Sequence, residues 1–251
     1  MYGPKRAGDS WRARIGVVMP STNTIFESWF PKVAPEGVSF HSSRMAFDAS
    51  RSIDGLEEMA KHEVEAAKLV SDCDPDVIMH ACTASCLLKG RAADIELIQS
   101  IQSVTGVPCV TITDAILRAF DALNIRKICI ASPYTRQMEE IERKFFEECS
   151  IEVDVAAGLN IQDPKEISDP TPGEIYRFGR SVFRKGADAL LVTCGAFRAH
   201  HVVAALEDDL GVPVITSVTA PLWASLRLAG ITAPIEGYGR LLMTQDILDK
   251  R

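Results

Sequence analysis

The chain has 251 residues, 47% of them hydrophobic and 24% charged, with a formal net charge of −7. That length suits one large or two small domains with real cores. The acidic balance gives no basic stripe with which to neutralise phosphates, which argues against a nucleic-acid partner. No apolar run reaches the roughly 18 residues needed to span a bilayer, so no membrane association is expected. The opening segment, MYGPKRAGDSWRAR, is basic without a following apolar stretch. It does not read as a secretory signal and is expected to be mobile or loosely docked.

From Ile15 onward, short β-branched runs alternate with segments of helical period. The strand-like runs are Ile15–Met19, Val38–Ser43, Val77–Ala81, Cys109–Ile112, Lys127–Ala131, Ile151–Ala156, Ala189–Thr193 and Val214–Thr216. The helix-like segments include Gly55–Val70, Lys89–Val104, Arg136–Cys149, Pro172–Lys185 and Pro221–Leu228. The charged run Arg51–Lys68 reads as a solvated helix face. Such alternation predicts parallel sheets built from βαβ units. The nearly all-apolar strands predict helices on both sheet faces. Asp163–Gly173 holds three prolines and reads as a loop near a pocket mouth.

The chain repeats itself. Gly106-Val107-Pro108 matches Gly211-Val212-Pro213, 105 residues on. Pro20 in GVVMPSTNT matches Pro133 in ICIASPYTR at an offset of 113, and Cys82 in MHACTAS matches Cys194 in VTCGAFR at 112. Three matches in one order predict an α/β fold of two similar halves, with equivalent loops facing each other across a pseudo-twofold axis. Helix 113–123 joins the two halves, and helix 218–229 returns after the last strand. The division is placed at 1–115 plus 218–251 for the first half and 116–217 for the second.

Seven cysteines, at 73, 82, 86, 109, 129, 149 and 194, form an odd set in a long chain. A disulfide framework is not expected, and a reducing cytoplasm is the default compartment. Cys82 and Cys86 are four apart, but no second Cys/His pair at zinc spacing accompanies them, so no metal is expected. Cys82 and Cys194 stand out because they are matched in the repeat and both end strands. Ligands bind beyond such ends in parallel sheets. Thr83 and Gly195 begin the turns that follow, where backbone N–H groups favour negative charge. Such a setting lowers a thiol pKa. Any one cysteine alone reads more simply as a small buried hydrophobe.

The first strand of each half ends in hydroxyl and amide groups: Ser21, Thr22, Asn23 and Thr24, then Ser132, Tyr134 and Thr135. These suit a carboxylate or enolate oxygen, and Ser21, Thr22 or Asn23 equally suits a helix cap. His80 reads as a satisfied core or interface histidine. His200 and His201 read as a solvated helix start.

These residues resemble the aspartate/glutamate racemase superfamily and, within it, the maleate cis-trans isomerase branch. The resemblance rests on PSTNT at 20–24, FHSSRM at 40–45, ACTAS at 81–85, SPYT at 132–135, Asn160 and TCG at 193–195, and covers nearly the whole chain. It implies two four-stranded parallel sheets related by a pseudo-dyad, with the site in the cleft between them. It implies no metal, nicotinamide or pyridoxal cofactor. It suggests Cys82 as nucleophile and Cys194 as acid/base partner, with Asn23, Tyr134 and Asn160 holding the carboxylates of a small dicarboxylate. CGAFRAH after Cys194 and the ending LAG…EGYGRLL are also similar to arylmalonate decarboxylases, which carry glycine in place of Cys82. Phe197 and the pocket beside Cys194 leave room for a substrate larger than maleate. A two-cysteine amino-acid or hydantoin racemase and a non-catalytic binding protein are the other readings. A homodimer or higher homo-oligomer is the base-rate expectation for such an enzyme.

Overall fold

The computed structural model describes residues 8–48, 52–245 and 248. The chain runs β1 (Ala13–Pro20), α1 (Phe26–Val33), β2 (Val38–Met45), α2 (Ser52–Ala60), α3 (Glu63–Ser71), β3 (Val77–His80), α4 (Thr83–Thr105), β4 (Cys109–Thr111) and α5 (Ile112–Ala122). It continues β5 (Lys127–Ser132), α6 (Arg136–Glu148), β6 (Glu152–Gly158), α7 (Pro172–Val182), β7 (Ala189–Val192), α8 (Val203–Leu210), β8 (Val214–Thr216), α9 (Thr219–Leu228) and α10 (Arg240–Met243). Two 3-10 turns, Pro164–Ser168 and Ala199–His201, interrupt its loops.

Two four-stranded sheets form, ordered β2-β1-β3-β4 and β6-β5-β7-β8, and every strand pair is parallel. Corresponding strands take corresponding places, so the repeat read along the chain is also a repeat in topology. β3 and β7 are buried at every position, as runs that are apolar but for His80 at the end of β3 require when helices cover both faces. The edge strands β2 and β6 are the more polar and only partly buried.

The repeat extends to local hydrogen bonding. Thr111 Oγ1 accepts from Asp114 N at 3.1 Å at the start of α5. Thr216 Oγ1, 105 residues later, accepts from Thr219 N at 2.9 Å at the start of α9. Both helices leave short strands whose edges are buried, and α5 packs against α9. All ten residues of α9 are buried, Arg227 among them, its guanidinium donating to the Ile231 carbonyl at 2.7 Å. The helix lies on β3 and β4 as well as β8.

Four expectations need correction. The segment Gly55–Val70 is two helices, and the turn at Lys61-His62 between them swings Glu63 inward. Glu63 is buried beside His80 and Lys89, so the run through Lys68 is not wholly a solvated face. The helix expected from Lys89 starts at Thr83, directly after Cys82, and kinks at Gly90, where φ is 81°. Glycine adopts that conformation without a Cβ penalty. The N-terminal segment is docked from Trp11 on: Arg12 N donates to Gly37 O at 2.9 Å and Arg14 N to Asp76 Oδ2 at 2.9 Å. A Cβ on Gly37 would stand 2.6 Å from the Trp11 ring. The remainder of that segment, residues 1–7, lies outside the described residues. Finally, His200 is buried and stacks on Trp29 with ring centroids 4.6 Å apart. Burial pushes its pKa down to about 3, so it is a neutral packing group and not a solvated helix start.

Candidate active site

Cys82 and Cys194 each lie two residues beyond a central strand, Cys82 after β3 and Cys194 after β7. Both line one cleft of about 830 Å³, its open mouth included, that lies between the carboxyl ends of the two sheets. Its floor comes from Pro20, Thr22 and Asn23 after β1, Ala81–Ala84 after β3, Tyr134 and Thr135 after β5, and Cys194–Ala196 after β7. Its mouth is apolar: Phe47, Ile53, Leu56, Met138, Ile161 and Ile167, beside Pro164 and Gln162. No lining side chain among the described residues carries a charge.

The two cysteines differ in backbone. Cys82 is extended, with φ −128° and ψ 103°, and forms the N-cap of α4. Cys194 has φ 77°, a left-handed conformation costly for any residue with a Cβ. That twist turns the chain sharply after β7. Gly195 follows because nothing larger fits: a Cβ there would stand 2.6 Å from Phe26 Cζ.

Both thiols are held up in pKa, not down as the strand-end setting predicts. Burial is the main cause at Cys82. The Ser85 hydroxyl and the N–H groups of Ser85 and Ala84 oppose it, while Glu63 adds to it. At Cys194 burial pushes the thiol up to about 11, against the Ala196 N–H and the Tyr134 hydroxyl, with Cys82 and Glu142 adding to the rise. The helix N-terminus is present, but desolvation outweighs it. The same donors favour a thiolate once one forms, and a charge on Cys82 raises the Cys194 thiol further.

Around the sulfurs are hydroxyls with unused capacity. Tyr134 Oη and Thr83 Oγ1 are buried and make no hydrogen bond of standard geometry within the protein. Burial, and then Cys194, keep the Tyr134 phenol well above its usual range, so it stays a donor at all working pH. Buried donors of this kind are normally satisfied, and a carboxylate oxygen would satisfy these. Asn23 is already committed on one side: its Oδ1 accepts from Ile25 N at 2.9 Å and Phe26 N at 3.3 Å, and its Nδ2 donates to Gly195 O at 3.0 Å.

Of the site residues named from sequence, Cys82, Cys194, Asn23, Thr83, Tyr134, Thr135 and Gly195 come together around the cleft. Ser21 and Asn160 stand outside its lining. Ser21 Oγ accepts from Phe47 N at 3.1 Å and so positions a mouth residue. Asn160 is exposed, with φ 56°, and its Oδ1 accepts from Gln162 Nε2 at 2.9 Å. Phe197 is fully buried in the core and does not widen the pocket.

Sequence reasoning missed two buried carboxyls beside the cysteines. Glu63 lies 3.2 Å from His80 Nε2 and 2.8 Å from Lys89 Nζ. Glu142 faces the hydroxyls of Ser132 and Thr193. The helical period carried the signal for Glu142, since it falls on the buried stripe Met138, Glu142, Phe145 and Phe146 of α6. The mouth residues on α2 left no comparable mark.

Two parallel α/β halves with a cysteine beyond the matching strand of each, facing one cleft, define a class of paired-cysteine enzymes. A model of the arylmalonate decarboxylase family matches residues 15–242, and the chain belongs to that family. It is similar to the maleate isomerase of Pseudomonas putida, 26% identical over 245 residues, 91% of this chain and 96% of the relative. It is 25% identical over 230 residues to the arylmalonate decarboxylase of Bordetella bronchiseptica, covering 90% and 95% of the two chains. Its fold matches that of a Nocardia farcinica maleate cis-trans isomerase, solved as a cysteine-to-serine mutant with a covalently bound succinylcysteine intermediate. The TM-score is 0.87 at 24% identity, over 93% of this chain and 99% of that one. The chain is an enzyme similar to maleate isomerases.

Proposed function

We propose that this enzyme is a cofactor-independent cis-trans isomerase of a small unsaturated dicarboxylate, of the maleate-to-fumarate type. The observation that carries the reading is the meeting of Cys82, Cys194 and the buried Tyr134 hydroxyl, which makes no hydrogen bond of standard geometry, in one uncharged cleft. Cys82 first loses its proton to solvent at the open mouth of the cleft, and its thiolate then adds to one alkene carbon and forms a C–S bond. The displaced electron pair moves into the carboxylate on the other carbon, giving an enediolate. Tyr134 and Thr83 donate to carboxylate oxygens as charge builds on them. Cys194 then gives its proton to the carbanion carbon and becomes the thiolate. The former double bond is now single and rotates. Cys194 takes a proton back, the double bond re-forms, and Cys82 leaves as thiolate. Covalent catalysis thus replaces one large barrier with smaller steps.

Incubation of the reduced, metal-free protein with maleate tests the reading, with fumarate followed by proton NMR. Fumarate formation supports it, and its absence removes maleate as the substrate. One observation favours a second reading. The apolar mouth of Phe47, Ile53, Leu56, Met138, Ile161 and Ile167 suits a substituent larger than hydrogen, which fits malonate-type decarboxylation at Cys194. That activity would survive Cys82→Gly, whereas isomerisation would not.

A further inference from the structure

Each cysteine has a buried glutamate behind it, and the two are built differently. Glu63, behind Cys82, is paired with Lys89 and His80. Glu142, behind Cys194, is fully buried on α6 and faces no cation among the described residues. Its carboxyl lies against the Ser132 hydroxyl at the end of β5 and the Thr193 hydroxyl next to Cys194. None of these four oxygens makes a hydrogen bond of standard geometry, within the cluster or elsewhere in the protein. An unpaired carboxylate is very costly in such a place, whereas a neutral carboxylic acid is not. The neutral form donates to one hydroxyl and accepts from the other, which satisfies the cluster.

We propose that Glu142 is a positioning residue that, as a neutral acid, clamps the ends of β5 and β7 together and so holds the left-handed turn that aims the Cys194 sulfur. Ser132 leads by two residues to Tyr134, and Thr193 leads directly to Cys194. One carboxylic acid thereby sets the spacing between the hydroxyl and the thiol that serve the reaction. Its neutrality also matters to Cys194, whose thiol a charge at Glu142 drives up. Burial pushes the Glu142 carboxyl up to about 8, against the pull of the Thr193 and Ser132 hydroxyls. The titratable groups facing it are Tyr134 beyond β5, Cys194 beyond β7, and Glu139 on α6 itself. α4 also packs on α6, but its Arg91 and Asp94 act on Cys149 at the far end. From the β6 side, Gly158 N donates to Glu139 Oε1 at 2.9 Å.

The proposal rests on Cys194 serving the reaction, and one arm of its test needs no substrate. Iodoacetamide labelling of Cys194 is followed by mass spectrometry from pH 6 to 10 in wild type, Glu142→Gln and Glu142→Leu. Above pH 8, Gln should speed labelling by about threefold or more, because it removes the like charge that drives the Cys194 thiol up. In turnover, Leu should lower kcat at pH 7 by about tenfold, the worth of one net hydrogen bond in transition-state alignment. Gln should restore most of that loss and move the alkaline limb of the rate profile to higher pH. A purely packing role predicts the opposite order, with Leu as good as Gln and no change in either pH profile; that result overturns the proposal. Should every protein fail to turn over maleate while the labelling profile shifts as stated, the substrate assignment fails and the Glu142 assignment stands. Should Glu142→Leu not fold, an unshifted Glu142→Gln labelling profile alone overturns it.

Discussion

Asn23 Nδ2 donates to the Gly195 carbonyl at 3.0 Å, and this bond ties the loop after β1 to the turn that carries Cys194. The two partners come from opposite halves, so one carboxamide couples the two walls of the cleft. Its Oδ1 is equally occupied, by the N–H groups that open α1. Asn23→Ala should destabilise the protein by about 1–3 kcal/mol, because it leaves buried partners unsatisfied. Urea denaturation checks this. Wild-type stability would show that the tie is dispensable.

Tyr134 offers a cleaner separation of binding from folding. Tyr134→Phe keeps the buried ring and removes a hydroxyl that has no protein partner of standard geometry. Stability should hold or rise slightly, while kcat should fall by about 10²–10³, the usual cost of one donor at a developing oxyanion. Steady-state kinetics on the substrate that turns over would decide. An unchanged kcat would remove Tyr134 from the reaction.

The division of labour between the cysteines predicts a trapped adduct. In Cys194→Ser, addition at Cys82 can proceed but proton return is slowed, by about 10²–10⁴ for the loss of a positioned acid/base. Intact-mass measurement after maleate addition should show one covalent adduct, mapped by peptide digestion to Cys82. An adduct at any other cysteine would contradict the roles assigned here.

Acid stability should depend on Glu63. Burial alone would raise its carboxyl, but His80 and Lys89 hold it down to about 2. A depressed folded-state pKa contributes stability above the unfolded value near 4.5, and that contribution is lost as pH falls through about 2. The contribution is of order 3 kcal/mol by linkage. Glu63→Gln should therefore flatten the fall in thermal midpoint between pH 5 and pH 2. Parallel curves for the two proteins would refute the pairing.

Gly195 faces a steric limit that calorimetry can probe. Gly195→Ala brings a Cβ to within 2.6 Å of Phe26, and overpacking of this kind costs about 1–3 kcal/mol. Because Cys194 adjoins it, turnover should fall along with the melting temperature. A variant as stable and as active as wild type would mean that Phe26 yields without cost.

Much of this molecule is written in local patterns. Strand and helix alternation depends on side-chain period, and the eight strands lie where apolar, β-branched runs fall. The repeat is a property of the chain, so it marked Cys82 and Cys194 as equivalents before any distance was known. The resemblance at PSTNT, ACTAS and TCG rests on the same strand ends. Charge state was not legible in this way. A thiol at a helix start reads as acidic until its burial is known, and burial reverses the sign at both cysteines. Glu63 falls in a run that reads as a solvated helix face and Glu142 on an apolar helical stripe, and only packing brings Lys89 to the first and leaves the second without a cation among the described residues. Asn160 shows the same limit from the other side: it follows β6 as expected, yet it stands outside the cleft lining, its carboxamide accepting from Gln162, which does line it. Period and composition determine where a residue falls along an element. Its protonation and its partners depend on desolvation and on groups far away in the chain, which the tertiary structure alone brings together.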